Sequence, residues 1–296
     1  MVATLTSPFY TIPNRSGFWH NGAMQTRVVF FVSDRTAITA EGLGNSLLTQ
    51  FDQVVFERHT LRFIDTPEKA RSVAAEIRRV GETSGSRPIV FSTLIDADMR
   101  GIVAESGAIC FDFVDTFIGR LETELGLRSS HSIGRTHGLT DKPRYNLRMD
   151  AVNFALATDD GLTSRMYEQA DVIVVGVSRS GKTPTCLYLA LTFGIYAANY
   201  PLTPDDLGGA QLPAGIGAHR SKLYGLTIDP GRLRAIRTER RPDSQYSSLQ
   251  QCQYEVRQAE ALFRHNGIPS VATTTMSVEE IATTIVHEMG LQWRMD

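Results

Sequence analysis

Apolar residues fall along this chain in two kinds of pattern. Short unbroken blocks such as Val28-Val29-Phe30-Phe31-Val32 and Val172-Ile173-Val174-Val175 end in polar turn residues. Blocks of this length predict strands buried on both faces. Further strands are expected at Pro88–Thr93, Ile195–Ala198, Leu223–Ile228 and Pro269–Ala272. Between the blocks the pattern predicts helices over Ala40–Gln50, Pro67–Val80, Phe111–Leu125, Leu147–Ala157 and Gln245–Phe263. Pro67–Val80 carries Glu68 early and Arg78 and Arg79 late, the polarity a helix dipole favours. The last helix is the best marked. Ser277-Val278-Glu279-Glu280 reads as a capping box, Ile281, Ile285 and Met289 share a face, and Gly290 stops it. Strands alternating with helices predict an α/β fold around mostly parallel sheet.

Two stretches lack periodicity and divide the chain. Residues 1–25 are rich in Ser, Thr, Pro, Asn and Gly, which predicts a poorly ordered leader. Residues 129–145 collect Ser, Gly, Thr, His and Pro, as a connector or a functional loop would. The expected organisation is an N-terminal α/β domain over 26–140 and a second α/β domain over 141–296.

Composition excludes several classes. A chain of 296 residues with 42% hydrophobic and 21% charged residues is ordinary for a folded soluble protein. A net charge of −2 argues against non-specific nucleic-acid binding. No apolar run approaches the ~20 residues of a membrane span, so no membrane partner is expected. Cys110, Cys186 and Cys252 are widely spaced and odd in number, which fits reduced thiols in a cytoplasmic protein.

The chemistry concentrates in Gly176-Val177-Ser178-Arg179-Ser180-Gly181-Lys182-Thr183, a complete G-x-x-x-x-G-K-T phosphate loop between a predicted strand and a predicted helix. Glycines let backbone N–H groups turn toward phosphate oxygens, and the helix N-terminus adds its dipole. Lys182 is placed to reach terminal phosphates and the Thr183 hydroxyl to ligate Mg²⁺. Pro184 falls in the first helical turn, where its missing N–H costs nothing. The second domain is therefore expected to be kinase-like. Its loop arrives after a sizeable preceding domain, unlike the usual small-molecule kinase, which suggests a surface for a bulky acceptor.

Three features are candidates to complete the site. Asp229 ends the apolar stretch Leu223–Ile228, where such enzymes hold Mg²⁺, although Asp-Pro also starts turns and caps helices. Arg232, Arg234, Arg237, Arg240 and Arg241 follow it; Arg234, Arg237 and Arg241 share a helical face, either solvated or facing phosphate. Asp159 and Asp160 precede the loop and could position or deprotonate an acceptor hydroxyl, or form an ordinary turn. In the first half, Ser33-Asp34-Arg35-Thr36 and Arg135-Thr136-His137-Gly138 are polar clusters in predicted loops. No zinc spacing and no hydrolase nucleophile motif occurs.

Taken in order, a set of segments resembles one family. They are Ser33–Glu41, Arg135–Gly138, Asp159–Gly161, Gly176–Thr185, Ala197–Pro201, Gly225–Pro230 and Ser277–Ala282. The chain resembles the bacterial phosphoenolpyruvate synthase regulatory proteins, which are related to the regulator of pyruvate, phosphate dikinase. The likeness runs from about Val28 to the C-terminus. It departs at Arg35, where a small residue is usual, and at Gly134, where some relatives have His.

The resemblance implies a bifunctional enzyme. One activity uses ADP to phosphorylate a threonine of the target synthase when the target's catalytic histidine is phosphorylated. The other uses inorganic phosphate to remove that group and releases pyrophosphate. It implies that Gly176 to Thr183 bind ADP, that Lys182 stabilises the transferring group, and that Asp34, His137, Asp159, Asp160 and Asp229 belong to functional motifs. Alternatives are the same chemistry on pyruvate, phosphate dikinase, an ATP-dependent small-metabolite kinase, or a nucleotide-binding switch. A symmetric homodimer is the expectation from base rates.

Overall fold

In a computed structural model, the structure describes residues 25–130, 142–159 and 166–292. All of the expected 1–25 leader but Gln25, which opens the first strand, most of the 129–145 connector including His137, and Asp160 lie outside the described residues. The chain divides into two compact units, Met1–Gly138 and Leu139–Asp296.

In the first unit the elements alternate: β1 (Gln25–Val32), α1 (Ile38–Leu48), β2 (Val54–Leu61), α2 (Pro67–Ser84), β3 (Ile89–Ser92), α3 (Ala97–Ala104), β4 (Ile109–Asp112) and α4 (Phe113–Leu125). The four strands form one parallel sheet in the order β2-β1-β3-β4. Alternate side chains of β1 go to opposite faces. Val28, Phe30 and Val32 pack with α2 and α3, whereas Val29 and Phe31 pack with α1. Phe91 of β3 stacks on Phe31, Phe111 and Phe113, with centroid separations of 5.3–5.9 Å.

The second unit repeats the plan with α5 (Lys142–Ala157), β5 (Val172–Val177), α6 (Lys182–Phe193), β6 (Ala197–Leu202), a short α7 (Ala214–Gly217), β7 (Leu223–Thr227), α8 (Pro230–Arg240), α9 (Leu249–Asn266), β8 (Ser270–Ala272) and α10 (Val278–Met289). Its parallel sheet has the order β6-β5-β7-β8. The central β5 is buried throughout. Val172 and Val174 face α5, α6 and α10, while Ile173, Val175 and Val177 face α8 and α9. Both sheets are thus α/β layers of the expected class.

Several expected boundaries move. The strand β2 was not foreseen, because Glu57, Arg58 and His59 interrupt its apolar run; as an edge strand it needs only half its surface apolar. The helix α3 and the strand β4 are likewise additions. Ile109–Asp112 is strand, so α4 starts at Phe113, where the Asp112 carboxylate accepts from Asp115 N (2.8 Å) as its cap. The strand β6 continues through Pro201 to Leu202 instead of ending at Ala198; an edge position tolerates the missing donor. Helix α5 begins at Lys142, five residues before the expected start, with Pro143 in its first turn. Helix α9 begins at Leu249 because the Ser248 hydroxyl caps it, and Gln245–Ser247 form a separate 3-10 turn. The capping box of α10 forms as the sequence predicts. Among the described residues no helix is long and apolar enough to cross a membrane.

Candidate functional site

In an open parallel sheet, ligands collect beyond the carboxyl ends of the strands where the chain order reverses. In the second unit that point lies between β5 and β7, and the glycine motif runs there from the end of β5 through residues 178–181 to the first residue of α6. The fully apolar strand fixes the start of the loop, and α6 opens at Lys182. Gly176, near the end of β5, permits a close approach of strand and loop. A Cβ there would sit 2.6 Å from Leu226 O on β7 and 2.8 Å from Ser180 Oγ. Arg179 (φ 76°) and Gly181 (φ 93°) take left-handed backbone, the form that lets successive N–H groups face one concavity.

Lys182 is buried, and its Nζ donates to Val177 O (2.8 Å), which folds the side chain back over the loop. Thr183 Oγ1 donates to Asp159 Oδ1 (2.9 Å). The Asn199 amide nitrogen donates to Thr183 Oγ1 (3.2 Å) and also to Asp159 Oδ1. Asp159 follows α5, Thr183 is on α6 and Asn199 is on β6, so three elements converge on one hydroxyl–carboxylate pair.

These side chains line a cavity of about 780 Å³ beside the loop. Among the described residues its charged lining is four cationic groups, Arg179, Lys182, Arg240 and Arg241, against one carboxylate, Asp159. Such a balance attracts phosphate.

Under the loop lies a polar strut. Arg237 is fully buried, and its guanidinium donates to Ser178 O (3.1 Å), Tyr246 O (3.1 Å) and Glu255 Oε2 (2.6 Å). The same group covers one face of the Tyr246 ring at 4.1 Å from its centre. The Tyr246 and Ser178 hydroxyls are 2.9 Å apart. Burying a guanidinium is costly unless it is paired and hydrogen-bonded, and here a carboxylate, two carbonyls and a ring supply the compensation. Burial pushes the Cys186 thiol of α6 well above its ordinary range, so it serves as a small packed residue.

The sequence candidates sort as follows. Gly176, Val177, Ser178, Arg179, Ser180, Gly181, Lys182 and Thr183 form the loop, and Asp159 joins Thr183. The Asp229 carboxylate accepts from Arg232 N (2.8 Å) and caps α8, the bland role open to an Asp-Pro pair. Asp34 lies in the first unit at the carboxyl end of β1; its carboxylate accepts from Ile95 N (3.3 Å), and burial pushes its pKa up. Within the arginine run, Arg240 and Arg241 are exposed at the cavity, whereas Arg237 shares the buried face of α8 with Leu233.

Sequence reasoning gave no role to Asn199, Tyr246 or Glu255. Asn199 left one trace, a polar residue inside an apolar strand, which must find partners. The burial of Arg237 was also foreshadowed, because it lies four residues after Leu233.

The donor set at Thr183 and Asp159 is one hydroxyl and one carboxylate, hard oxygens that suit Mg²⁺ shared with substrate phosphates. Among the described residues no three His, Cys, Asp or Glu side chains gather as a metal site of their own. A cation held partly by phosphate does not require one.

Comparison with known proteins agrees with this geometry. The model of the family described as kinase/pyrophosphorylase matches residues 29–286. A protein of Alkalilimnicola ehrlichii is 57% identical over 269 residues, covering 91% of this chain and 98% of that relative. One from Halorhodospira halophila is 56% identical over 270 residues, with coverage of 91% and 98%. One from Pseudomonas putida strain W619 is 52% identical over 268 residues, with 90% and 98% covered. All three are provisionally named as phosphoenolpyruvate synthase regulatory proteins.

Proposed function

The chain belongs to the kinase/pyrophosphorylase family, and from that premise we propose a reversible, protein-directed phosphoryl transfer at the second-unit loop. The target is phosphoenolpyruvate synthase, the enzyme in the relatives' names, and the setting is the cytoplasm. In the inactivating direction the β-phosphoryl group of ADP moves to a threonine oxygen of the target. The bond from the β-phosphorus to its bridging oxygen breaks, AMP leaves with that oxygen, and the threonine gives up its proton. In the activating direction inorganic phosphate attacks the phosphothreonine, pyrophosphate forms, and the threonine oxygen regains a proton.

The observation that supports this most is the convergence of Lys182, Thr183 and Asp159 beside a cation-rich cavity. Phosphoryl transfer needs positioning and charge stabilisation more than covalent help from the protein. The loop N–H groups and the α6 N-terminus bind phosphate oxygens. Lys182 exchanges the Val177 carbonyl for the transferring phosphoryl group. Thr183 and Asp159 would hold Mg²⁺, which when bound offsets phosphate charge. Arg179, Arg240 and Arg241 draw the anionic partners in.

The test combines this protein with purified synthase phosphorylated on its catalytic histidine, and supplies ADP or ATP. Phosphothreonine on the target with ADP and none with ATP is the expected result. ATP consumption without the target would replace this reading with a metabolite kinase. No threonine phosphorylation of an active target with ADP would sink it.

A further inference from the structure

Two cavities adjoin the phosphate loop. The larger is the one described above. A second, of about 260 Å³, touches Ser180, Gly181 and Thr185 and is walled by Ile228, Met276 and Ile281. Arg179, Gly181, Pro184 and Ile236 line both, so the two cavities share part of their walls.

Their chemistry is divided. Among the described residues the one carboxylate in either lining, Asp159, faces the larger cavity together with Lys182, Arg240 and Arg241. The smaller has an apolar wall, the hydroxyl-bearing Thr273 and Thr274, and Arg232 as its one cation beyond the shared Arg179. An apolar slot with a few polar groups suits a heterocyclic base, and its volume is below the ~300–1,000 Å³ typical of whole drug-sized ligands. The larger cavity offers one aromatic ring, Tyr246, but Arg237 already covers a face of that ring and Ser178 bonds its hydroxyl.

The smaller cavity is also tied to the loop. Thr273 Oγ1 lies 3.2 Å from Ser180 O and 3.1 Å from Thr227 O, which pins the segment after β8 against the phosphate site.

We infer that the smaller cavity receives the nucleoside of a nucleoside diphosphate whose phosphates lie on the loop, leaving the larger cavity for the phosphoryl acceptor. This rests on the nucleotide-dependent reading proposed above. It adds a division of labour: Ile228, Met276, Val278 and Ile281 hold the base, while Asp159, Arg240 and Arg241 face the incoming hydroxyl or phosphate. No part of the protein substrate then needs to pass the nucleoside.

Photolabelling of the intact protein with 8-azido-ADP, followed by tryptic mapping, tests this. ADP-displaceable label is expected in peptide 265–294, which carries Met276, Val278 and Ile281, or in 223–232, which carries Ile228. Label confined to 241–257, the peptide of Tyr246, would overturn the inference. In parallel, Val278→Trp should weaken ADP binding at least about tenfold and change pyrophosphate binding less than about twofold. Unchanged ADP binding in that variant would count against the inference. If both ligands weaken together, the wild-type labelling pattern decides. Absence of ADP binding to the wild-type protein would instead remove the premise, whereas labelled ADP in the wrong peptide removes only the placement.

Discussion

The two sheets share one strand order, with the first strand of each unit between its second and third, yet the loops leaving those central strands are tied down differently. In the first unit the backbone itself is stitched to its neighbours. Ser33 N donates to Leu61 O, Ile64 N to Ser33 O and Phe63 N to Arg35 O, and Asp34 brings in Ile95 N. In the second unit the loop is gripped mainly by its carbonyls and one hydroxyl. Val177 O takes Lys182, Ser178 O takes Arg237, Ser180 O lies against Thr273, and Ser178 Oγ meets Tyr246. Side chains that satisfy the acceptors of a loop steady it while leaving donors to face an anion. One topology thus yields a closed turn in one place and a phosphate cradle in another. The difference is what takes the loop carbonyls: backbone N–H groups at Ser33 and Arg35, mainly side chains at Val177, Ser178 and Ser180.

The largest expected effect that would break this comparison comes from Arg237→Met. It leaves the buried Glu255 without its cationic partner, with only Gln251 still donating to it, and should cost about 3–5 kcal/mol. Hydrogen exchange should show the β5 amides losing protection while the β1 amides keep theirs. Equal loss in both sheets, or none, would mean the strut does not separate the two loops.

Next is Lys182→Ala, expected to lower the phosphoryl-transfer rate by about 10²–10³ in a target-phosphorylation assay. Near-normal turnover would place the reaction centre away from the cradle.

A finer contrast pairs Gly176→Ala with Gly44→Ala. The first pushes a methyl group against a strand carbonyl that cannot give way, the second against the rings of Phe31 and Phe91, which can shift. Each should cost about 1–3 kcal/mol in denaturant unfolding. Only the first should weaken pyrophosphate binding, as calorimetry would show.

The smallest effect concerns Asp34. Burial raises its folded pKa above its unfolded value, so ionising it opposes folding. The penalty grows as pH rises from the ordinary carboxylate range through the raised value and is complete above it. The stability of the wild type relative to Asp34→Asn should therefore fall over that window. An unchanging difference would mean that the turn does not penalise the charge.

How much of this was legible in sequence depends on how local the signal was. The β5–loop–α6 unit is local: an apolar block, a glycine pattern and a helix start stand side by side. The capping box of α10 spans four residues and is equally plain. By contrast, Thr183 meets Asp159 across 24 positions and Asn199 across 16, and Arg237 meets Glu255 from a different helix. No periodicity carries such pairings. A run of arginines reads as solvated surface until its neighbours are known, because burial of a charge is decided by partners distant in sequence. Edge strands blur for a related reason: β2 and β6 each have one unpaired side, so charge and proline enter them freely.

The strut at Arg237 has a consequence for how this protein can change over generations. One guanidinium serves the phosphate loop, a cavity wall and the packing between α8 and α9. Replacing it alone strands Glu255, and replacing Glu255 alone strands it. A viable path must therefore alter both within a short interval, or pass through a weakened intermediate. Arg240, the last residue of that helix, and Arg241, just beyond it, are exposed and carry no such linkage among the described residues. On the function proposed above, recognition of the acceptor is free to drift there while the cradle for the phosphate stays fixed.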